Sequence, residues 1–503
     1  MAETEELGRG GRLRDAAAVE LVSAAYAHEA EHGPRLARGL SLADLAHAVA
    51  LVEGGGVAGD VGARLLAGLL ELHEIPPASF PWDPAVGDAF NAREAELERR
   101  VGRAAAGWLS AGRPRREAFR VALRLTARAH VRALQGASAD QVDALARHAR
   151  ETRQALAADY TYLQPAQPTT VGHLLLAYAF PALRDADRAR SAHAALGTSV
   201  AGAGGSAGSR WPLDRARLAE LLGCDGLVEH AKDAAWQADV YVELLATLAI
   251  AATHQSQLAQ DFEIYASQEF GLVELADAHS RASALMPQKK NPYALAAIRA
   301  QAAQAAGDLA ASLVALHTGS ARTDHFHLLN GTVPRALDEA VAVARLTASV
   351  LDGLEVRVER FDQIARTSFV TAADVADVLA LSGRLDYRSA HKVVGRAVRD
   401  LVDAGAQPSA LTPARLAAAA EATAGERVEL DEEVLHDALD PAACAEARRQ
   451  TGGSSQAALE ALLDRVQAAL DDQRAWNTAA REREQAAEGA LLDRARALSR
   501  GAR

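Results

Sequence analysis

Apolar residues recur three and four positions apart along most of this 503-residue chain, the spacing that gives a helix one buried stripe. The pattern predicts helices over 119–134, 142–156, 234–262, 295–317 and 333–354. The last three each exceed about 20 residues, which predicts extended bundle helices rather than compact globular ones. Sustained period-two alternation, the mark of a half-buried strand, is absent, so the expected fold class is all-α. Breaks fall at His32-Gly33-Pro34, at Gly54-Gly55-Gly56 and at Pro76-Pro77. Another runs from Gly202 to Pro212, where glycine lets backbone approach a ligand or a neighbouring helix. Near Asp362 the long-helix pattern yields to shorter helices. From Asp471 to Arg503 a charged stretch with a thin apolar stripe predicts a solvent-facing helix or a frayed tail. These shifts divide the chain into an N-terminal helical domain (1–113), a central helical-bundle domain (114–361) and a C-terminal helical domain with a charged tail (362–503).

Composition narrows the function classes. Hydrophobic residues at 49% and charged residues at 24% are ordinary for a soluble globular protein. Aromatics reach only 4% while alanine is abundant, so the core is built from small side chains on closely packed helices. Long helices of that kind can also pack several subunits around one axis, which predicts an oligomer. The net charge of -12 weighs against nucleic acid as a partner, because phosphate binding needs a basic face. No apolar run reaches about 18 residues, so no membrane span is expected. Cys224 and Cys444 stand far apart without metal-ligand spacing, which fits a reducing cytoplasm. Met1 to Gly11 lacks the apolar segment of a secretory signal. His325-Phe326-His327 is too tight a pair, without nearby Cys or Glu, for a metal site. The Gly202–Pro212 loop lacks a preceding strand and a phosphate-loop lysine, so no nucleotide site is expected.

The densest chemistry lies in Ser283-Ala284-Leu285-Met286-Pro287-Gln288-Lys289-Lys290-Asn291-Pro292. It holds a hydroxyl, two ammonium groups and an amide, with prolines fixing the backbone around the basic pair. The helical pattern of Ala294 to Ile298 follows. A polar loop entering a helix offers free backbone N–H groups to an anion. Such a segment suits gripping a carboxylate while a serine works on the adjacent carbon. A basic surface loop is the alternative on composition alone.

Two further segments read together with this one: Thr161-Tyr162-Leu163-Gln164-Pro165-Ala166-Gln167-Pro168-Thr169-Thr170, a polar stretch ending a helical segment, and Gly202-Ala203-Gly204-Gly205-Ser206-Ala207-Gly208. With Ser267 to Leu275, Ala390 to Gly395 and Gly107 to Arg115, they resemble the fumarase/aspartase superfamily, and argininosuccinate lyase within it, over roughly residues 85 to 470. The resemblance implies a three-domain fold whose central long helices assemble into a homotetramer core, with active sites shared between chains. It also implies elimination of an amine from a succinyl-type dicarboxylate to give fumarate, with no metal or organic cofactor.

The family's roles carry over residue by residue. Ser283 falls at its catalytic serine, a base only if fixed positive charge and N–H donors stabilise the deprotonated oxygen. A helix cap is the structural alternative. Lys289 and Asn291 fall where the family places donors to the developing carboxylate charge. Arg115 aligns with the first-motif arginine, whose planar fork suits a substrate carboxylate, and Arg116 stands beside it as a binding candidate. Thr161 and Gln164 match the second motif and could hydrogen-bond the fumarate half.

The departures are as informative. Tyr162 stands where the family has a histidine, and Ala296 where it has the glutamate that orients that histidine. Losing both partners together is a coordinated change, since losing one would strand a buried polar group. Pro114 and Arg116 replace the serine and asparagine around the first-motif arginine. Asp324, Leu329 and Thr332 replace the family's contacts to the amino-acid half of the substrate. The pattern points to a carbon–nitrogen lyase that keeps the fumarate-forming half and has rebuilt the leaving-group half, acting on an N-substituted aspartate other than argininosuccinate. Tyr162 either donates the proton to the departing amine or fills the vacated space. The alternatives are a genuine argininosuccinate lyase, a catalytically silent homologue and, with weaker support, a muconate cycloisomerase.

Overall fold

The computed structural model describes residues 12, 15–382, 385–425 and 427–501; the segment Met1 to Gly11 and the last two residues lie outside them. Helix dominates. The elements that position the site are α1 (Gly33–Glu53), α2 (Gly59–His73), α3 (Arg115–Glu151), the strands β1 (Leu156–Thr161) and β2 (Gln164–Thr170), α4 (Ala179–Leu196), α5 (Asp239–Tyr265), the short strands β3 (Arg281–Ala282) and β4 (Lys290–Asn291), α6 (Tyr293–Ala315), α7 (His325–Asp352) and, further on, α8 (Ala372–Leu381), α9 (Tyr387–Asp403), α10 (Pro413–Ala424), α11 (Glu432–Leu439) and α12 (Gln456–Arg500).

Polar contacts along the bundle fix its directions. His130 and Gln141 of α3 meet Asp338 (2.9 Å) and the Ala344 carbonyl (2.9 Å) of α7, so the two helices run parallel. Arg132 meets Glu484 (2.9 Å) and Arg150 meets Gln467 (2.6 Å), so α12 runs back along α3. Asp308 with Arg335 (2.6 Å) and Gln301 with Glu339 (2.8 Å) set α6 antiparallel to α7. Small residues permit the close approach: a Cβ on Gly39 of α1 would lie 2.5 Å from the Ala122 carbonyl oxygen of α3. Helices α8 to α11 close a core of their own around Val375, Leu379, Val393 and Leu416.

Two sequence expectations need correction. The periodicity over 142–156 overruns, because α3 ends at Glu151, and Thr152 Oγ1 donates to the His148 carbonyl there (2.7 Å). Thr161 to Thr170 is then not a helix end: it forms most of an antiparallel hairpin, with Leu156 opposite Thr170 and Thr161 opposite Gln164. Pro165 and Pro168 deny it a helix, and a two-residue turn between Thr161 and Gln164 closes it. The charged segment from Asp471 is the second half of α12, and Ala480, Leu491 and Ala495 bury its apolar stripe.

Candidate active site

Strands β3 and β4 form a two-stranded ribbon that carries the Ser283–Lys289 loop outward. The Ser283 hydroxyl oxygen accepts the backbone N–H of Met286 at 3.0 Å and of Leu285 at 3.3 Å. Donors aimed at that oxygen favour its charged form, and they equally describe a local turn. The Lys289 N–H donates to the Met286 carbonyl (3.1 Å), which tightens the loop. Lys290 is committed within the chain, to Glu274 (2.9 Å) and Asp277 (2.8 Å). The Lys289 ammonium has no such partner among the described residues. Asn291 Nδ2 donates to the Arg281 carbonyl across the ribbon (2.8 Å), so one amide hydrogen pins the loop. Leu285 at the loop's crest is 85% exposed, an apolar side chain left without cover.

Thr161, Tyr162, Leu163 and Gln164 make the hairpin tip. Tyr162 (φ 53°) and Leu163 (φ 59°) are both left-handed, as the two-residue hairpin turn demands and as non-glycine residues resist. A cavity of about 690 Å³ opens beside them, walled by Tyr160, His173, Asp185, His254 and Asp261. Within it the Tyr178 hydroxyl donates to Asp261 (2.7 Å), and burial with that nearby carboxylate raises the phenol's pKa.

Arg115 and Arg116 open α3 after Pro114. Arg115 lies 3.5 Å from Asp88, a buried carboxylate that caps the Ala89–Val101 helix through the N–H groups of Phe90 and Asn91. Burial raises the Asp88 pKa. Arg116 faces two adjoining cavities with Arg120 and Thr323. Beside them Glu117 accepts the N–H groups of Gly202 (2.8 Å) and Gly204 (2.9 Å), both at positive φ, and so moors the glycine-rich loop. Leu329 and Thr332 are buried. His325 meets the Trp236 carbonyl (2.9 Å) while His327 meets Glu29 (2.5 Å), so the two imidazoles serve different neighbours.

One chain does not bring these groups together. Helix α3 has 37 residues and is about 55 Å long. Arg115 and Arg116 stand at its start, and the hairpin follows its end. Ser283, Lys289 and Asn291 line neither the Tyr162 cavity nor those at Arg116.

Residues 63–307 match the lyase family profile, and residues 369–446 match the argininosuccinate lyase C-terminal profile. Over 465 residues the chain is 33% identical to the argininosuccinate lyase of Methanoculleus marisnigri, covering 91% of each protein. The chain is an argininosuccinate-lyase-like member of the fumarase/aspartase superfamily. This lyase therefore cleaves carbon–nitrogen bonds. It is also 28% identical over 433 residues to the argininosuccinate lyase of Methanothermobacter thermautotrophicus, covering 86% of this chain and 92% of that one. Its fold superposes on EDDS lyase in complex with formate with a TM-score of 0.86 at 26% identity, over 97% of both chains. The 3-carboxy-cis,cis-muconate lactonizing enzyme of Pseudomonas putida shares the fold alone, with a TM-score of 0.69 at 22% identity over 86% of this chain and 95% of that one.

Sequence reasoning missed Glu117, Asp88 and Arg120. The signal was available for Arg120: Arg116, Arg120 and Arg124 stand four apart, and so on one face of α3.

Proposed function

We propose that this lyase eliminates an amine from an N-substituted aspartate other than argininosuccinate, releasing fumarate, in sites shared between the chains of a cytoplasmic homotetramer. The separation of Arg115 and Tyr162 along α3 carries the shared-site reading, because each half-site needs a partner that its own chain holds far away. Helix α6 supports the assembly: Ala296, Ala300, Ala303, Gly307 and Ala310 form an exposed stripe of small residues, with Val314 73% exposed beyond it. Such a face suits close helix packing against another chain. The two free cysteines support the compartment.

In this reading Ser283, its oxygen held by two amide N–H groups, takes the proton from the carbon next to a carboxylate. Lys289 and the remaining Asn291 amide hydrogen stabilise the charge that develops on that carboxylate. Arg115, Thr161 and Gln164 hold the succinyl half, and Arg116 faces the leaving group. The electrons of the broken C–H bond form the fumarate double bond as the C–N bond breaks, and those of the C–N bond stay with nitrogen. Tyr162 supplies nitrogen's proton. Buried Leu329 and Thr332, and a neighbour named for EDDS rather than argininosuccinate, support the exclusion of argininosuccinate. The deciding assay follows fumarate absorbance with argininosuccinate and EDDS side by side. Fast turnover of argininosuccinate would sink the substrate reading. Undiminished turnover by Ser283→Ala would remove Ser283 as the base.

A further inference from the structure

The cavity of about 690 Å³ below the hairpin tip takes its walls from α3, α4, α5 and β1, and no lysine or arginine is among the described residues that line it. Ser283, Lys289, Asn291, Arg115 and Arg116 all lie outside those walls, and the cavity borders the proposed chemistry only at Tyr162. Its polar groups are incompletely paired. Gln255 of α5 is 6% exposed, and neither atom of its amide has a hydrogen-bond partner among the described residues. Neither atom is sealed off from open space, and the residue lines the cavity. Folded chains pair nearly all buried amides, because an unmet one has lost its hydration for nothing. Gln141 of α3, 4% exposed, gives its amide nitrogen to the Ala344 carbonyl (2.9 Å) and leaves its oxygen without a donor.

The other groups on these walls are acceptors or already satisfied. His254 directs Nδ1 to Asp185 (2.8 Å), and a carboxylate there holds the ring proton on Nδ1, which leaves Nε2 as an acceptor. Asp185 is met by His254 and by Arg188 (2.9 Å). Both ring nitrogens of His173 are taken, by Thr169 (2.9 Å) and the Gly452 carbonyl (3.0 Å). Asp261 accepts the Tyr178 hydroxyl (2.7 Å) and has no ion pair among the described residues, and neither has Asp159 of β1. Tyr160, Tyr178 and Tyr265 add aromatic rings to the walls.

We infer that this cavity is a second binding site, and that it takes a protonated alkylamine. A primary ammonium has three donors and no acceptor, so it meets the free glutamine oxygens and the unpaired carboxylates without stranding a group of its own. Its alkyl stem has tyrosine rings to lie against, and their faces also attract a cation. An anion would instead meet Asp159 and Asp261 with no lysine or arginine on the walls to offset them. The inference goes beyond the lyase reading and does not rest on it. The occupant is opposite in charge to the dicarboxylate assigned to Ser283 and Lys289.

The test uses the assembled protein and three probes of one length, butylammonium, butanol and butyrate, with dissociation constants from ligand-detected NMR titration at pH 7.5. Butylammonium should bind about tenfold or more tightly than butanol, and butyrate more weakly than either. Asp261→Asn keeps an acceptor for Tyr178 and removes the charge, so the preference for butylammonium over butanol should fall by about threefold or more. Gln255→Leu removes the buried amide at similar volume and should weaken butylammonium by about threefold or more. Unchanged values in either variant overturn the site, since the amine would then bind elsewhere. So does a wild-type protein that prefers butanol or binds no butylammonium, including the case in which a lysine of a neighbouring chain already fills the cavity. Should Asp261→Asn fail to fold by circular dichroism, Asp159→Asn at the exposed rim decides by the same ratio.

Discussion

Tyr162 and Leu163 stand side by side in the left-handed region, at φ 53° and 59°, at a hairpin tip where asparagine and glycine are the usual occupants. Each non-glycine residue there costs about 1–2 kcal/mol, and Tyr162 gains nothing in return from its own chain, being 99% exposed. Strain kept at an exposed aromatic points to a role outside the monomer's own packing.

Two substitutions separate role from strain. Tyr162→Phe leaves the backbone cost and removes the proton donor, so kcat should fall by about 10²–10⁴ for a poorly leaving amine. Tyr162→Gly should raise stability by about 1 kcal/mol while abolishing turnover. Fumarate release and denaturant midpoints measure the two effects. Full activity in Tyr162→Phe would reduce the residue to a space filler.

The length of α3 makes a sharper demand. Arg115 and Ser283 are proposed to meet only when different chains contribute them. Arg115→Ala and Ser283→Ala should each be inactive as purified homo-oligomers. Co-expressed, they should recover a fraction of wild-type turnover, because some sites in a mixed assembly draw both intact residues. Recovery is read as fumarate formed per milligram. No recovery, in particles shown by mass spectrometry to be mixed, would place the site within one chain.

Helix α6 tests the assembly itself. A Cβ at Gly307 meets nothing within 4 Å in the monomer, so Gly307→Arg costs the isolated chain little beyond side-chain entropy. Across a close helix pair the same arginine would bury a charge without a partner. The variant should keep its far-ultraviolet helical signal, lose its oligomeric mass by light scattering and lose activity with it. An active oligomer would move the interface elsewhere.

What the sequence made legible follows the range of the physics involved. Helices α6 and α7 were legible because apolar residues recur along them at helical spacing, although the pattern began α7 at residue 333 and the helix starts two turns earlier, at His325. The hairpin was not, since β1 spans six residues buried only at Leu156, Ala157 and Ala158, and β2 carries two prolines. A break at Gln237 and Ala238, which separates α5 from a short preceding helix, left no mark in the periodicity. Ser283 was legible as part of a local motif, and its two N–H donors come from residues two and three positions on. Arg120 could not be read the same way. That its Nε and Nη2 are buried without an acceptor depends on where Phe326, Glu117 and the Gly202 loop lie, and no local pattern encodes that.

The last prediction concerns pH. His47 of α1 is 2% exposed, and burial, with the Arg113 charge adding to it, holds its pKa well below the ordinary imidazole value. The unfolded chain therefore takes up a proton near pH 6.5 that the folded chain refuses. Its contribution to stability is fully present above pH 6.5 and is lost as pH falls toward the folded-state value. Within that window the loss is up to about 1.4 kcal/mol per pH unit from this residue. His32, His73 and His325 are also held low by burial and act in the same direction. His47→Leu removes the proton-binding group at similar volume, so its urea midpoint should fall less between pH 7.5 and pH 5.5 than that of the wild type at the same protein concentration. Parallel losses in the two proteins would mean that His47 titrates normally in the fold, and that the acid sensitivity arises elsewhere.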